Sequence, residues 1–204
     1  IASASGAGIA TSSHVVKIHK KEDGIFEIET LSGSRFRSRN IVIATDIGAA
    51  PKFLQDLEME EAAKLLASIR PSESVAVNLS IEKERIPLQK IAGIISLSNE
   101  FFSAVSRDTL QNETWRSFTF HFPQSKVSPS ERLETVFRVL GIQDEHLSHT
   151  EIYRHVLPSV RLENLNLKEK LKIHLQGTGV HVLGNYFQGM SLEDCVKHSN
   201  EEAR

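Results

Sequence analysis

Hydrophobic and polar positions change period several times along the chain, and each change predicts an element. Val15-Val16-Lys17-Ile18 and Phe26-Glu27-Ile28-Glu29-Thr30 read as two strands. Asp23-Gly24 between them is the dipeptide that supplies positive φ in a hairpin turn. After Ser32-Gly33-Ser34, Ile41-Val42-Ile43-Ala44 is a short unbroken apolar run, as in a strand buried on both faces. Pro51 suits a first helical position. Leu54, Leu57, Ala62, Leu65, Leu66 and Ile69 then keep helical spacing up to Arg70-Pro71, which predicts one helix ending there.

Val75, Val77, Leu79 and Ile81 alternate as one face of a strand should. Ile91 to Val105 predicts two strands around Ser98-Asn99-Glu100, and Phe118, Phe120 and Phe122 lie on one side of another. That alternation fits plain sheet core better than a pocket lining. Ser128-Pro129-Ser130-Glu131 is a capping box with proline in the first turn; Leu133, Val136, Phe137 and Leu140 follow, and Gly141 closes the helix. Ile152 to Leu157 reads as a strand ending at Pro158. Asn166 with Glu169 predicts the start of a third helix, closed by Gly177. Val180-His181-Val182-Leu183 is a short buried strand, and Gly184-Asn185 breaks it. Ser191-Leu192-Glu193-Asp194 is a second capping box, opening a last helix with Leu192, Cys195 and Val196 inward. The fold class is α+β: a mixed sheet with about four helices.

Composition narrows the classes. With 204 residues, 40% of them hydrophobic, the chain can fill a real core. Lys+Arg 24 against Asp+Glu 26 leaves a net charge of −2, the wrong balance for a protein that must neutralise nucleic-acid phosphates. No apolar run approaches the ~20 residues needed to span a bilayer. The single cysteine, Cys195, excludes an internal disulfide framework and fits a reducing, cytoplasmic setting. The chain opens Ile1-Ala2-Ser3 with neither an initiator Met nor a signal peptide, which suggests a piece of a longer protein.

Candidate chemistry is sparse outside the last segment. Gly6-Ala7-Gly8-Ile9-Ala10-Thr11 imitates a dinucleotide fingerprint, but Thr11 replaces the third glycine, no buried strand precedes it and no helix follows. The 9 histidines are scattered, and none joins a cluster with metal-ligand spacing. Cys195, inward on its helix with no basic neighbour in sequence, reads as a small buried hydrophobe. No Gly-x-Ser-x-Gly elbow is present, and no catalytic acid or base stands out. The basic stretch Arg35-Phe36-Arg37-Ser38-Arg39 reads as a solvated hairpin edge. By contrast, the buried strand, Gly-Asn break and capped helix start at the C-terminal end would place backbone N–H groups and a positive dipole end at the mouth of a sheet.

Gly179 to Val196, GVHVLGNYFQGMSLEDCV, resembles the closing FAD motif of the flavin amine oxidase superfamily, nearest to its protoporphyrinogen oxidase branch. Tyr153 to Pro158 is similar to that branch's aromatic–x–x–small–x–Pro strand, with Tyr153 and Val156 where Trp and Ala are usual. Gly8 to Asp46 resembles its middle segment: a Gly-Ile start, Val15–x–x–Ile18, the Asp23-Gly24 hairpin, Ser32-Gly33, then Ile41-Val42-Ile43-Ala44-Thr45. Residues from about Ile81 to Thr150 carry no matching motif.

The resemblance implies an FAD site in which Val15 offers its backbone to the adenine, and Ala44 and Thr45 line the cofactor. Gly184 would allow close approach to the FAD chain, Asn185 would bond its phosphate or ribityl group, and Met190, Ser191 and Leu192 would face the isoalloxazine. It also implies a division into 1–50, the FAD-domain hairpin and strand; 51–160, a substrate-binding α+β domain; and 161–204, the strand and helix that complete the FAD site. Val180–Leu183 should then lie beside Ile41–Ala44. The expected activity is oxidation of a hydrophobic, tetrapyrrole-like substrate by hydride transfer to flavin. The family's N-terminal Gly-rich βαβ unit would be the missing partner, and without it the chain should not retain FAD. The exposed remnant of the site would leave an apolar face open to dimerisation. The branch also allows peripheral association with a membrane. The competing reading is a non-enzymatic α+β module that binds a partner or an apolar ligand.

Overall fold

The Asp23-Gly24 turn forms where it is expected, and from it the first sheet grows. The computed structural model describes residues 6–107, 114–124, 127–159, 161, 166–187 and 189–202. Strands β1 (Val15–Lys20), β2 (Phe26–Thr30) and β3 (Arg35–Ser38) make an antiparallel sheet in that order. β3 is exposed along its whole length, so the basic stretch is a solvated edge; Arg35 reaches Glu27 and Glu29, and Arg37 reaches Asp23. Residues 7–10, in the stretch that imitates a dinucleotide loop, are exposed and belong to no helix or strand.

The predicted single helix is two: α1 (Ala50–Asp56) and α2 (Glu60–Ala67). The break is a Schellman ending, with Glu58 N–H donating to the Gln55 carbonyl at 2.9 Å and Met59 N–H to that of Leu54 at 2.9 Å. Glu58 takes the left-handed conformation, φ 60°, that a glycine ordinarily supplies there. The apolar spacing runs straight through it.

A five-stranded sheet, order β6-β7-β8-β5-β9, forms from β5 (Pro71–Glu82), β6 (Gly93–Ile95), β7 (Ser103–Ser106), β8 (Trp115–Pro123) and β9 (Leu147–Pro158). β5 and β8 pair antiparallel with Val75 opposite Phe122, Val77 opposite Phe120 and Leu79 opposite Phe118. These aromatic–aliphatic pairs are the stabilising unit of such a ladder, and they are core, packed with Val136 and Leu140 of α3 (Pro129–Leu140). The opposite face is polar: Thr119 donates to Asn78 at 2.7 Å and Ser80 pairs with Ser117 at 2.8 Å.

The chain divides into two compact units. One holds the residues up to Pro71 together with those from Pro158 on, and the other holds Ser72–Leu157. The first unit also contains α4 (Leu167–Leu175), β10 (Val180–Val182) and α5 (Leu192–Glu202). The helices after residue 50, grouped above with the central segment, pack instead in this first unit. Leu54, Ala62, Ala63 and Leu66 share one buried cluster with Ile41, Ile43, Leu171, Val180 and Val182. Ser159 N–H donates to the Arg70 carbonyl at 2.9 Å where the chain leaves this unit and returns.

Ser128 and Glu131 form the expected reciprocal box, and Gly141, left-handed, ends α3. Asn166 makes no side-chain cap bond, and its φ of −101° and ψ of 13° are not the extended geometry that capping requires. On α5, Leu192 is 85% and Val196 59% exposed, Cys195 is half-buried, and the residue that faces inward is His198. The buried stripe of α5 is polar, so hydrophobic spacing picked the wrong face. Among the described residues no helix is long and apolar enough to cross a membrane.

The α3 cap gives a direct test. Ser128 hydrogen bonds, through its side chain and then its backbone N–H, hold the Glu131 carboxyl below its usual value of 4.5. A lowered carboxyl pKa contributes stability above that usual value and loses it as the pH falls through the lowered one. Ser128→Ala should cost about 1 kcal/mol in a denaturant melt at neutral pH, and the gap to wild type should shrink in acid. An equal gap at both pH values would mean the carboxylate takes no part in the cap.

Candidate functional site at the ends of the parallel strands

β4 (Ile41–Ile43) and β10 pair in parallel, with Ile41 opposite Val180, Val42 opposite His181 and Ile43 opposite Val182. This is the adjacency that the resemblance implied. The pairing runs one step past the strands: Leu183 N–H donates to the Ile43 carbonyl at 2.9 Å. Ala44 and Thr45 therefore leave one strand end directly beside the end from which Gly184 and Asn185 leave the other. In open α/β sheets, ligands bind in the crevice outside such carboxyl ends.

The turn between β10 and α5 is built on one ring. Tyr186 is fully buried and donates its hydroxyl to the Leu183 carbonyl at 3.0 Å. Burial, then the nearby Asp46 carboxylate, pushes its phenol well above the ordinary value of 10.0, so it stays a neutral donor. The ring lies against Gly184 so closely that a Cβ there would sit 2.1 Å from it. Glycine at 184 is thus required by the protein's own tyrosine, whatever else approaches. Gly189 plays the same part for the next helix: a Cβ would stand 2.2 Å from an Asp194 carboxylate oxygen. That carboxylate accepts the Ser191 hydroxyl at 2.6 Å, while Ser191 Oγ accepts the Asp194 N–H at 3.1 Å. The second expected capping box is present, and Ser191 is its cap.

Across the crevice, Asp46 organises the exit from β4. Its Oδ1 accepts the N–H groups of Gly48 at 2.7 Å and Ala49 at 3.1 Å, an Asx turn that leads into α1. Neither Asp46 nor Tyr186 was singled out from sequence. Asp46-Ile47-Gly48 ahead of a helix was a usable signal for the first; nothing local announces the burial of Tyr186.

Of the expected cofactor residues, Ala44, Thr45, Gly184 and Asn185 come together at the paired strand ends. Met190, Ser191 and Leu192 lie exposed at the start of α5. Val15 lies on β1 opposite Thr30, packed against the same core. Gln188, within the closing motif, lies outside the described residues. The first N–H groups of α5 have no partner within the helix and present a positive end. Glu193 and Asp194 in its first turn offset part of that field, so the end suits a neutral or weakly charged acceptor better than a naked phosphate.

No protein-family model matches the chain, and no curated protein does. Solved structures do. The chain is similar to reduced UDP-galactopyranose mutase, with a TM-score of 0.62, 12% identity, and 87% of this chain and 41% of that one covered. It is similar to a CLA-producing fatty acid isomerase from P. acnes, with a TM-score of 0.61, 13% identity, and coverage of 94% and 46%. It is also similar to a putrescine oxidase redesigned in its cofactor binding, with a TM-score of 0.61, 10% identity, and coverage of 99% and 50%. The class is therefore an α+β protein that carries the fold of these enzymes over most of its length. It spans half or less of the length of each.

The turn is testable by a double-mutant cycle. Gly184→Ala should displace the Tyr186 ring and destabilise the chain by roughly 1–3 kcal/mol, the usual cost of overpacking. In a Tyr186→Ala background the same glycine substitution should cost much less, because the obstructing ring is gone. Additive losses in denaturant melts would show that the two residues do not meet.

Proposed function

We propose that this chain is part of an FAD-dependent oxidoreductase and supplies the segment that completes the flavin site. The observation that carries the reading is the parallel pairing of Ile41–Ile43 with Val180–Val182, followed at once by a capped helix start. The shared fold with enzymes such as putrescine oxidase supports it. The residues fit the flavin end of such a cofactor: Ala44 and Thr45 line it, Gly184 adds no side chain of its own at the strand end, and Asn185 bonds the ribityl or phosphate group. Met190, Ser191 and Leu192 face the ring at the helix end, and Val15 offers its backbone to the adenine. A bound flavin supplies hydride acceptance, and the protein's share is to bind, orient and exclude water. A helix N-terminus beside the ring stabilises negative charge there by about 0.3–2 kcal/mol.

Within that reading the substrate is hydrophobic, and the closing motif favours a tetrapyrrole-like one, as in the protoporphyrinogen oxidase branch. The partner is a nucleotide-binding half with its own Gly-rich βαβ unit. Val42 at 56%, Met190 at 57%, Leu192 at 85% and Val196 at 59% exposure are apolar residues for it to cover; apolar surface left bare favours self-association. Parallel sheets are stable only with both faces covered, which supports an added element here. The setting is cytoplasmic, with peripheral membrane association a further expectation of the branch.

The test is flavin retention. The 204-residue chain should purify colourless, because its sequence carries no Gly-rich βαβ unit to cradle the pyrophosphate, and each 1.4 kcal/mol so lost is tenfold in affinity. Expressed together with the segment encoded ahead of Ile1, it should be yellow, and Asn185→Ala should loosen the flavin on gel filtration. Coding sequence ahead of Ile1 without a strand and Gly-x-Gly-x-x-Gly would overturn the reading in favour of a binding module.

A further inference from the structure

His198 sits on the buried side of α5 and is only 2% exposed. Its ring packs on Phe187 with centroids 4.7 Å apart, and Phe187 packs on Tyr186 at the same 4.7 Å. Tyr186 in turn is bonded to Leu183. A run of three rings thus ties the far end of α5 to the turn that carries Gly184 and Asn185. Among the described residues His198 Nδ1 has no hydrogen-bond partner, and Nε2 lies 3.8 Å from Glu202, beyond hydrogen-bond reach. A cavity of about 660 Å³ is lined in part by His198.

We propose that His198 is a proton-sensitive positioning residue. Neutral, it seats α5 on Phe187 and holds the helix start beside the Gly184 turn; protonated, it releases the helix. Its consequence for ligand binding rests on the flavin reading above, but the seating itself does not.

The charged groups around the ring favour release over rescue. From α4, Lys168 opposes a second positive charge, while Lys172 and Glu169, of opposite sign, both line the same cavity. From α5 itself, Glu201 is already paired with Lys168, and Glu202 is shared with His181 of β10, whose Nδ1 is also 3.8 Å away. Tyr186 and Phe187 bring no charge. Burial first, then Lys168, hold the imidazole below its ordinary value of 6.5, with Glu202 and Glu201 pulling the other way. The released helix therefore binds the proton more readily than the seated one. Seating is complete above about pH 6.5 and weakens by up to tenfold per pH unit as the pH falls towards the lowered value.

Hydrogen exchange of the full chain without flavin, from pH 8 to 5 and corrected for intrinsic exchange, tests this. Amides of α5 and of the 184–187 turn should lose protection below about pH 6.5, by up to tenfold per unit, while those of α3 keep theirs. His198→Phe keeps a ring but cannot be protonated, and should stay protected throughout. Protection of α5 that is constant with pH in the wild type, or equally lost in His198→Phe, overturns the proposal. Should His198→Phe fail to fold, Lys168→Met decides, because removing the opposing cation must shrink the loss; an undiminished loss overturns it. Because no flavin is present, either result stands whether or not the chain belongs to a flavoprotein.

Discussion

The first unit depends on one short pairing. β4 and β10 are each three residues long, far too little to hold together in isolation. They are kept in register by what they bury: Ile41, Ile43, Val180 and Val182 contribute to a cluster that also takes Phe26 from the hairpin, Leu54 and Leu66 from the first helices, and Leu171 from α4. The backbone bond between Ser159 and Arg70 closes the frame where the central segment leaves and returns. A parallel pair needs such a long crossover connection, and here a whole second unit is inserted in it.

Around the pairing, Tyr186 and Asp194 fill the spaces that side chains on Gly184 and Gly189 would take. The same two residues satisfy local polar groups, the Leu183 carbonyl and the Ser191 hydroxyl. Asp46 does likewise for the N–H groups of Gly48 and Ala49. Those donors are consumed internally, which leaves the start of α5 and the Gly184-Asn185 backbone as the groups that can meet a ligand. The acidic first turn of α5 tempers the positive end.

The second unit follows a simpler rule. One face of its sheet carries Val75, Val77, Leu79, Phe118, Phe120 and Phe122 and is covered by α3. The other carries the Asn78–Thr119 and Ser80–Ser117 pairs. Strict alternation sorts the two faces, and a slip of one residue would exchange them.

The features legible in the sequence were those whose physics is local. Asp23-Gly24 sets its own φ, and the boxes at Ser128 and Ser191 join residues three apart, so hydrogen-bond chemistry is visible in adjacent letters. The resemblance placed Ala44, Thr45, Gly184 and Asn185 in one site because its motifs keep a fixed order, and their strands do pair. The break between α1 and α2 was hidden because Glu58, not glycine, takes the left-handed conformation. The inward face of α5 was misread because the polar His198 is buried there, while Leu192 and Val196, expected inward, are exposed. Tyr186 and His198 gained their roles only from what covers them. Burial is decided by segments far away in the chain, and desolvation, unlike a cap or a turn, has no signature in neighbouring residues.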